Sequence, residues 1–185
     1  MIEIRDLCFS YGEKTVFKDL DLTLSGQVTV LEGVSGSGKT TLLRLIAGLL
    51  KPDSGRISGV PQKTAVMFQE DRLFPWLTAQ ENVAAVLLKE RAGDAAWWLK
   101  RLELTEEEIK KKPEFLSGGQ RRRVSMARAL AFGGELLIMD EPMKGLDEAL
   151  AARIIPIIKA GGVPMVVTTH SEFEAKLWGG EMIAL

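Results

Sequence analysis

The sequence predicts an α/β fold: a parallel sheet core, an antiparallel β edge near the N-terminus and an inserted helical subdomain. Three observations carry this. Continuous apolar runs such as Val28-Thr29-Val30-Leu31 and Leu136-Leu137-Ile138-Met139 read as strands buried on both faces, as parallel sheets require. Stretches of helical period follow those runs, and such alternation is how parallel strands are connected. Between them, a middle segment without strand period carries three capping boxes. With 185 residues the chain suits one domain, 1–185, with the helical subdomain inserted at about 78–132.

The elements follow in order. Residues 2–7 and 20–24 alternate apolar and polar side chains, and Tyr11-Gly12-Glu13-Lys14 between them reads as a hairpin turn. Residues 28–31 make the first buried strand. A glycine-rich loop then leads into a helix over 39–48, ended by Gly48 and by Pro52 shortly after. Short strands fit 55–58 and 64–68. Thr78-x-x-Glu81, Thr105-x-x-Glu108 and Ser117-x-x-Gln120 each open a helix, because cap and third residue satisfy each other's backbone N–H. Helix is therefore expected across 78–132. Residues 136–139 and 163–167 are buried parallel strands. The helix over 147–160 contains Pro156 and is expected to kink or end early. A last helix opens at the box Ser171-x-x-Glu174, and 182–185 forms a final strand.

Composition excludes several classes. Lys plus Arg is 24 and Asp plus Glu is 25, a net charge of −1, so nothing pulls the chain as a whole toward nucleic acid or anionic lipid. Cys8 is the single cysteine, which rules out a disulfide framework within the chain. The opening residues alternate as a strand does and do not read as a signal peptide. The longest apolar stretch, 42–50, carries Arg44 and falls far short of the ~20 residues that span a bilayer.

Gly33-Val34-Ser35-Gly36-Ser37-Gly38-Lys39-Thr40 matches the phosphate-loop pattern G-x-x-x-x-G-K-[ST] at every position, between a buried strand and a helix. The glycines let backbone N–H groups turn toward phosphate oxygens, and the helix start adds partial positive charge. Lys39 reaches the β- and γ-phosphates in such loops, the Thr40 hydroxyl ligates Mg²⁺, and Thr41 continues the helix start. This places the chain among P-loop NTPases. Leu136-Leu137-Ile138-Met139-Asp140-Glu141 supplies the second element, ending at the carboxyl edge of the sheet, where ligands of α/β folds bind. Asp140 there suits the Mg²⁺ shell, and Glu141 is placed to polarise an attacking water.

Leu116-Ser117-Gly118-Gly119-Gln120, followed by Arg121-Arg122-Arg123-Val124-Ser125-Met126-Ala127-Arg128-Ala129-Leu130, resembles the signature of the ATP-binding cassette (ABC) transporter ATPases. A serine-capped helix start also accounts for Ser117 and Gln120. The resemblance covers nearly the whole chain and implies ATP and Mg²⁺ as cofactors. It also implies a head-to-tail dimer in which Ser117, Gly118, Gly119 and Gln120 of one copy close over the γ-phosphate held by the other. On the same resemblance, Tyr11 stacks on adenine, an aromatic at a turn being the lesser alternative. Gln69 contacts Mg²⁺ and the water, Asp147 touches the opposite subunit, and His170 faces the γ-phosphate. Lys144-Gly145 departs from the small polar residues usual before Leu146-Asp147.

The run Phe68-Gln69-Glu70-Asp71-Arg72-Leu73-Phe74-Pro75-Trp76 is similar to that of bacterial nitrate, sulfonate and taurine importers. Phe74 and Trp76 read as a hot spot for a membrane subunit, as rings packed beneath the inserted helices, or as both. The resemblance implies an ATP-hydrolysing subunit on the cytoplasmic face of the membrane, an integral permease partner and a solute-binding protein, with no nucleic acid. Two rival readings share the phosphate loop. A small-molecule kinase has no use for residues 116–120. An ATPase of DNA repair or chromosome maintenance carries a coiled-coil or zinc insertion that this chain lacks.

Overall fold

A computed structural model describes all of the chain, Met1–Leu185. Five parallel strands form the central sheet: β3 (Val28–Glu32), β5 (Thr64–Met67), β6 (Leu136–Met139), β7 (Met165–Thr168) and β8 (Glu181–Ala184), in spatial order β5-β6-β7-β3-β8. Alternate residues serve opposite faces. Leu136 and Ile138 of β6 face one apolar core, and Leu137 and Met139 face the other. Both faces of β3, β6 and β7 are covered, which is why they read as nearly unbroken apolar runs, whereas β5 and β8 lie at the sheet edges and are less buried.

The first core is closed by the N-terminal β region. β1 (Ile2–Tyr11), β2 (Lys14–Leu24) and β4 (Ser54–Ser58) form an antiparallel sheet in the order β2-β1-β4. Ile4, Leu7 and Phe9 of β1 pack with Leu42, Leu43 and Ile46 of α1 (Lys39–Ile46) against Leu31 and Ile138. β1 and β2 are longer than their alternation suggests. Asp6 and Asp19 both take φ 50, and the pairing register shifts between Ile4 and Leu7. Such bulges insert an extra residue and break the period-2 signal.

Helices cover the second core: α2 (Ala79–Ala84), α3 (Asp94–Arg101), α4 (Glu106–Ile109), α5 (Gly118–Phe132), α6 (Glu148–Lys159) and α7 (Glu172–Trp178), with short 3₁₀ turns at Lys89–Arg91 and Pro113–Phe115. The expected helical segment is thus present, in shorter pieces. Thr78, Thr105 and Ser117 each close a complete capping box. Ser171 makes half of one: its hydroxyl accepts the Glu174 N–H, while the Glu174 carboxylate takes the Thr169 hydroxyl instead. The expectation that α6 ends early at Pro156 is corrected. α6 runs through it to Lys159, and Ala160 N–H donates to the Pro156 carbonyl at 3.0 Å. Pro156 lies on the exposed face, so the hydrogen bond its ring forfeits belongs to a carbonyl that water can reach.

Candidate nucleotide site

The carboxyl ends of β3, β6 and β7 converge on one cavity of about 360 Å³, within the range of small-ligand sites. Its lining includes Tyr11, Ser35, Gly36, Gly38, Lys39, Thr40, Thr41, Gln69, Glu141 and His170, so residues spread over most of the chain meet there. Lys14, Thr15 and Val16 of β2 line it as well. Sequence patterning missed these three, because a hairpin turn read alone does not show what it faces.

The loop between β3 and α1 holds its shape through glycine. Gly33, Gly36 and Gly38 all have positive φ. At Gly38 (φ 103) a Cβ would sit 2.7 Å from the Phe17 ring and 2.9 Å from Val16, so both backbone and space demand glycine. Lys39 is buried, and its Nζ donates to the carbonyls of Gly33 at 2.7 Å and Val34 at 3.0 Å. The ammonium therefore lies folded over the loop. Gly33 and Ser37 belong to the loop without lining the cavity.

A run of polar contacts lies behind the cavity wall and joins Thr40 to Glu141 through Asp140 and Thr168, two buried residues that do not line the cavity. The Thr40 hydroxyl donates to Asp140 Oδ2 at 2.7 Å, and the Thr168 hydroxyl donates to Asp140 Oδ1 at 2.8 Å. The same Thr168 oxygen accepts the Glu141 N–H at 2.8 Å. Thr168 escaped the sequence reading because it ends a buried strand; a hydroxyl closing an apolar run was the available signal. Glu141 itself takes φ 48, a conformation rare for a non-glycine residue and characteristic of functional positions.

Glu141 is gripped from three sides. His170 Nε2 lies 2.8 Å from Oε1, Lys144 Nζ 3.0 Å from Oε2, and Gln69 Nε2 donates to Oε2 at 3.3 Å. Burial works against ionisation, but the hydrogen bond and charge of Lys144, joined by His170, outweigh it and hold the carboxyl below its ordinary range. Lys144, noticed in sequence only as a departure, thus touches the candidate base directly. The oxygens of Thr40 and Asp140, with the Gln69 amide nearby, form a hard donor set suited to Mg²⁺. No group of three or more His, Cys, Asp or Glu is placed to hold a metal ion.

Other expected site residues lie elsewhere. Ser117, Gly118, Gly119, Gln120 and Asp147 do not line this cavity. Ser117 and Gln120 cap α5, Gln120 Nε2 donates to Glu108 Oε1, and Asp147 caps α6 by accepting the Leu150 N–H at 2.8 Å. Gly119 packs on Leu146, where a Cβ would come within 3.0 Å. Gly118 differs: its added Cβ would meet only Arg121 Nη2, at 3.9 Å, so nothing within the subunit demands glycine there.

Tyr11 is exposed at the rim, its ring edge-on to Phe9 with centroids 4.9 Å apart. Phe74 and Trp76 are 41% and 66% exposed, with ring centroids 5.6 Å apart, so neither ring is buried beneath the helices, although the Arg128 guanidinium of α5 lies 5.9 Å from the Phe74 ring. The buried Asn82 amide pins their loop, accepting Phe74 N–H and donating to the Leu77 carbonyl. No helix is long and apolar enough to cross a membrane.

Comparison with known proteins agrees with this geometry. The profile of the ABC transporter family matches residues 17–144. The aliphatic sulfonates import ATP-binding protein of Corynebacterium glutamicum is 42% identical, covering 93% of this chain and 74% of its own length. The taurine import ATP-binding protein of Escherichia coli is 37% identical, over 100% and 79%. The putrescine transport ATP-binding protein of Escherichia coli is also 37% identical, over 98% of this chain, which spans only 54% of that relative. A solved dimeric bacterial ABC transporter cassette, MJ0796, superposes with a TM-score of 0.89 at 31% identity, covering 100% of this chain and 94% of its own. A post-hydrolysis state of the same cassette bound to ADP and Pi gives 0.87 at 30% identity, with the same coverage. The chain belongs to the ABC transporter family, as one of its ATPase subunits.

Proposed function

We propose that the chain binds ATP in the cavity beside Lys39 and hydrolyses it to power import of a small solute through a separate membrane subunit. The observation that carries this is the continuous run Thr40–Asp140–Thr168–Glu141–His170, of which Thr40, Glu141 and His170 line the cavity together with the phosphate loop. Tyr11 supplies a face for the adenine ring. The phosphate loop, from Gly33 through Ser35, Gly36, Ser37 and Gly38 to Lys39, Thr40 and Thr41, holds the phosphates, and Lys39 turns from the loop carbonyls to the β- and γ-phosphates.

Thr40, Asp140 and Gln69 would hold Mg²⁺, which supplies charge neutralisation at the phosphates when bound. Glu141 orients the attacking water and accepts its proton, and His170 stabilises charge at the γ-phosphate. The chemistry needs little more than positioning and charge. A subunit whose signature lies outside its own cavity, with a glycine the subunit itself does not need, fits closure by a second copy. Ser117, Gly118, Gly119 and Gln120 of each chain then cover the nucleotide of the other, with Asp147 at the contact.

In this reading 1–185 acts as one nucleotide-binding unit whose insertion at 78–132 presents the signature. It sits peripherally on the cytoplasmic face of the membrane. Phe74 and Trp76 meet the permease, and a solute-binding protein delivers the cargo. Turnover by the purified chain tests the reading. Phosphate release should require Mg²⁺ and stop with chelator, and Glu141→Gln should cut it by about 10² to 10⁴ while ATP still binds. Full turnover in Glu141→Gln contradicts the assignment.

A further inference from the structure

Arg122 is 3% exposed, in the second turn of α5, and neither the cavity nor the packing of the helix accounts for its charge. Nη1 donates to the carbonyls of Phe68 at 2.9 Å and Gln69 at 2.8 Å. Nη2 donates to those of Asp140 and Glu141, each at 2.6 Å, and Nε to Pro142 at 3.3 Å. The carboxylate beside it is Asp71, with Oδ1 at 3.3 Å.

Burying a guanidinium is costly, and an apolar side chain of similar volume would seat the helix as well. Ser125, Met126 and Ala129, which follow at helical spacing on the same buried face, carry no charge. What the guanidinium adds is a fork with donors on two sides, a geometry that an ammonium cannot reproduce. One side holds the backbone of Gln69 and the other the backbone of Asp140 and Glu141, including the residue at φ 48. A strained backbone persists only where its surroundings over-determine it, and these carbonyl contacts do so here.

The helix that carries this fork also begins at Ser117, Gly118 and Gly119. Arg122 lies five residues from the cap, on one rigid segment with it. We propose that Arg122 is a positioning residue that fixes the backbones of Gln69 and Glu141 to the signature helix of their own chain. When that helix seats on nucleotide held by a second copy, this chain's own Gln69 and Glu141 are carried into register with it. The inference rests on the ATPase reading above and adds to it a route between the two sites. Arg122 touches backbone carbonyls and never the substrate, so its loss should reach turnover and spare ground-state binding.

Arg122→Met is the test, read by kcat, KM and calorimetric Kd for MgATP, with melting temperature as the check on folding. Misplacement of reacting groups by about 1 Å costs up to ~10²-fold, so kcat should fall by about 10- to 100-fold while KM and Kd stay within about threefold. If Arg122→Met does not fold, Arg122→Gln serves instead, since its amide offers two donor hydrogens in place of the five of the guanidinium; its kcat should fall about tenfold at unchanged Kd. Either folded variant retaining wild-type kcat, or losing affinity with kcat intact, overturns the assignment. A wild-type chain without Mg²⁺-dependent hydrolysis sinks the ATPase reading instead, so the two failures are distinguishable.

Discussion

Thr168→Val removes one hydroxyl and almost no volume, at a residue with 0% exposure. That oxygen makes two contacts at 2.8 Å, donating to Asp140 Oδ1 and accepting the Glu141 N–H. Valine satisfies neither. A buried group left without its partner costs about 1–3 kcal/mol, and Asp140 keeps the Thr40 hydroxyl, so the Glu141 N–H bears most of the loss. The total should be about 2–4 kcal/mol. At about 2–4 °C per kcal/mol for a domain of this size, the melting temperature should drop by about 4–16 °C. Turnover should fall further than stability alone explains, because the freed N–H belongs to the residue at φ 48. Thermal melts and phosphate-release assays on Thr168→Val beside Thr168→Ser separate the hydroxyl from the methyl. Serine should restore most of both losses. A valine variant melting within about 2 °C of wild type, with unchanged kcat, refutes the claim that this hydroxyl holds Asp140 and Glu141 in place.

Other perturbations give simpler readouts. Lys39→Ala removes the cation beside the phosphate site and should weaken ATP binding at least tenfold, about 1.4 kcal/mol or more, by isothermal titration. Tyr11→Ala should weaken ATP binding by about 1 kcal/mol and leave saturated turnover unchanged, because the ring acts on the base; equal affinities make it a turn residue only. Glu181 accepts N–H bonds from Ser25 and Gly26, which hold its carboxyl below the ordinary range despite burial. A depressed folded pKa stabilises at neutral pH, and the benefit is lost as acid protonates the carboxylate. Glu181→Gln should therefore lower the melting temperature at pH 7 and narrow the gap to wild type below the carboxylate range, in melts run across that interval.

The motif chemistry was largely legible in the sequence because it is local. The phosphate loop and the strand ending at Asp140 each lie within a few consecutive residues, and both strand and helix patterns flank the loop. The capping boxes at Thr78, Thr105 and Ser117 were legible for the same reason. What stayed hidden depends on distance through space. Lys14, Thr15 and Val16 face the cavity only because the antiparallel sheet closes over α1. Arg122 reads as one of three consecutive charged residues, and its burial shows only in its spacing to Ser125, Met126 and Ala129. Lys144 is an exposed lysine until the turn after β6 brings it to Glu141. The bulges at Asp6 and Asp19 erased the alternation that would have given β1 and β2 their length. Pro156 misled because propensity says nothing about which face of α6 it occupies.

Two copies sharing nucleotide across their interface is the central claim, since each cavity lacks the signature that its own chain carries. Sedimentation of Glu141→Gln with saturating ATP and Mg²⁺ tests it most directly. The amide keeps the size of the carboxylate, binds ATP and does not turn it over, so ATP remains as the bridge between subunits. A dimer should form with ATP, return to monomer when nucleotide is removed, and fail to form when Ser117→Arg places a bulky side chain at the start of α5. An inactive Glu141→Gln chain that binds ATP yet stays monomeric at high concentration would contradict the account.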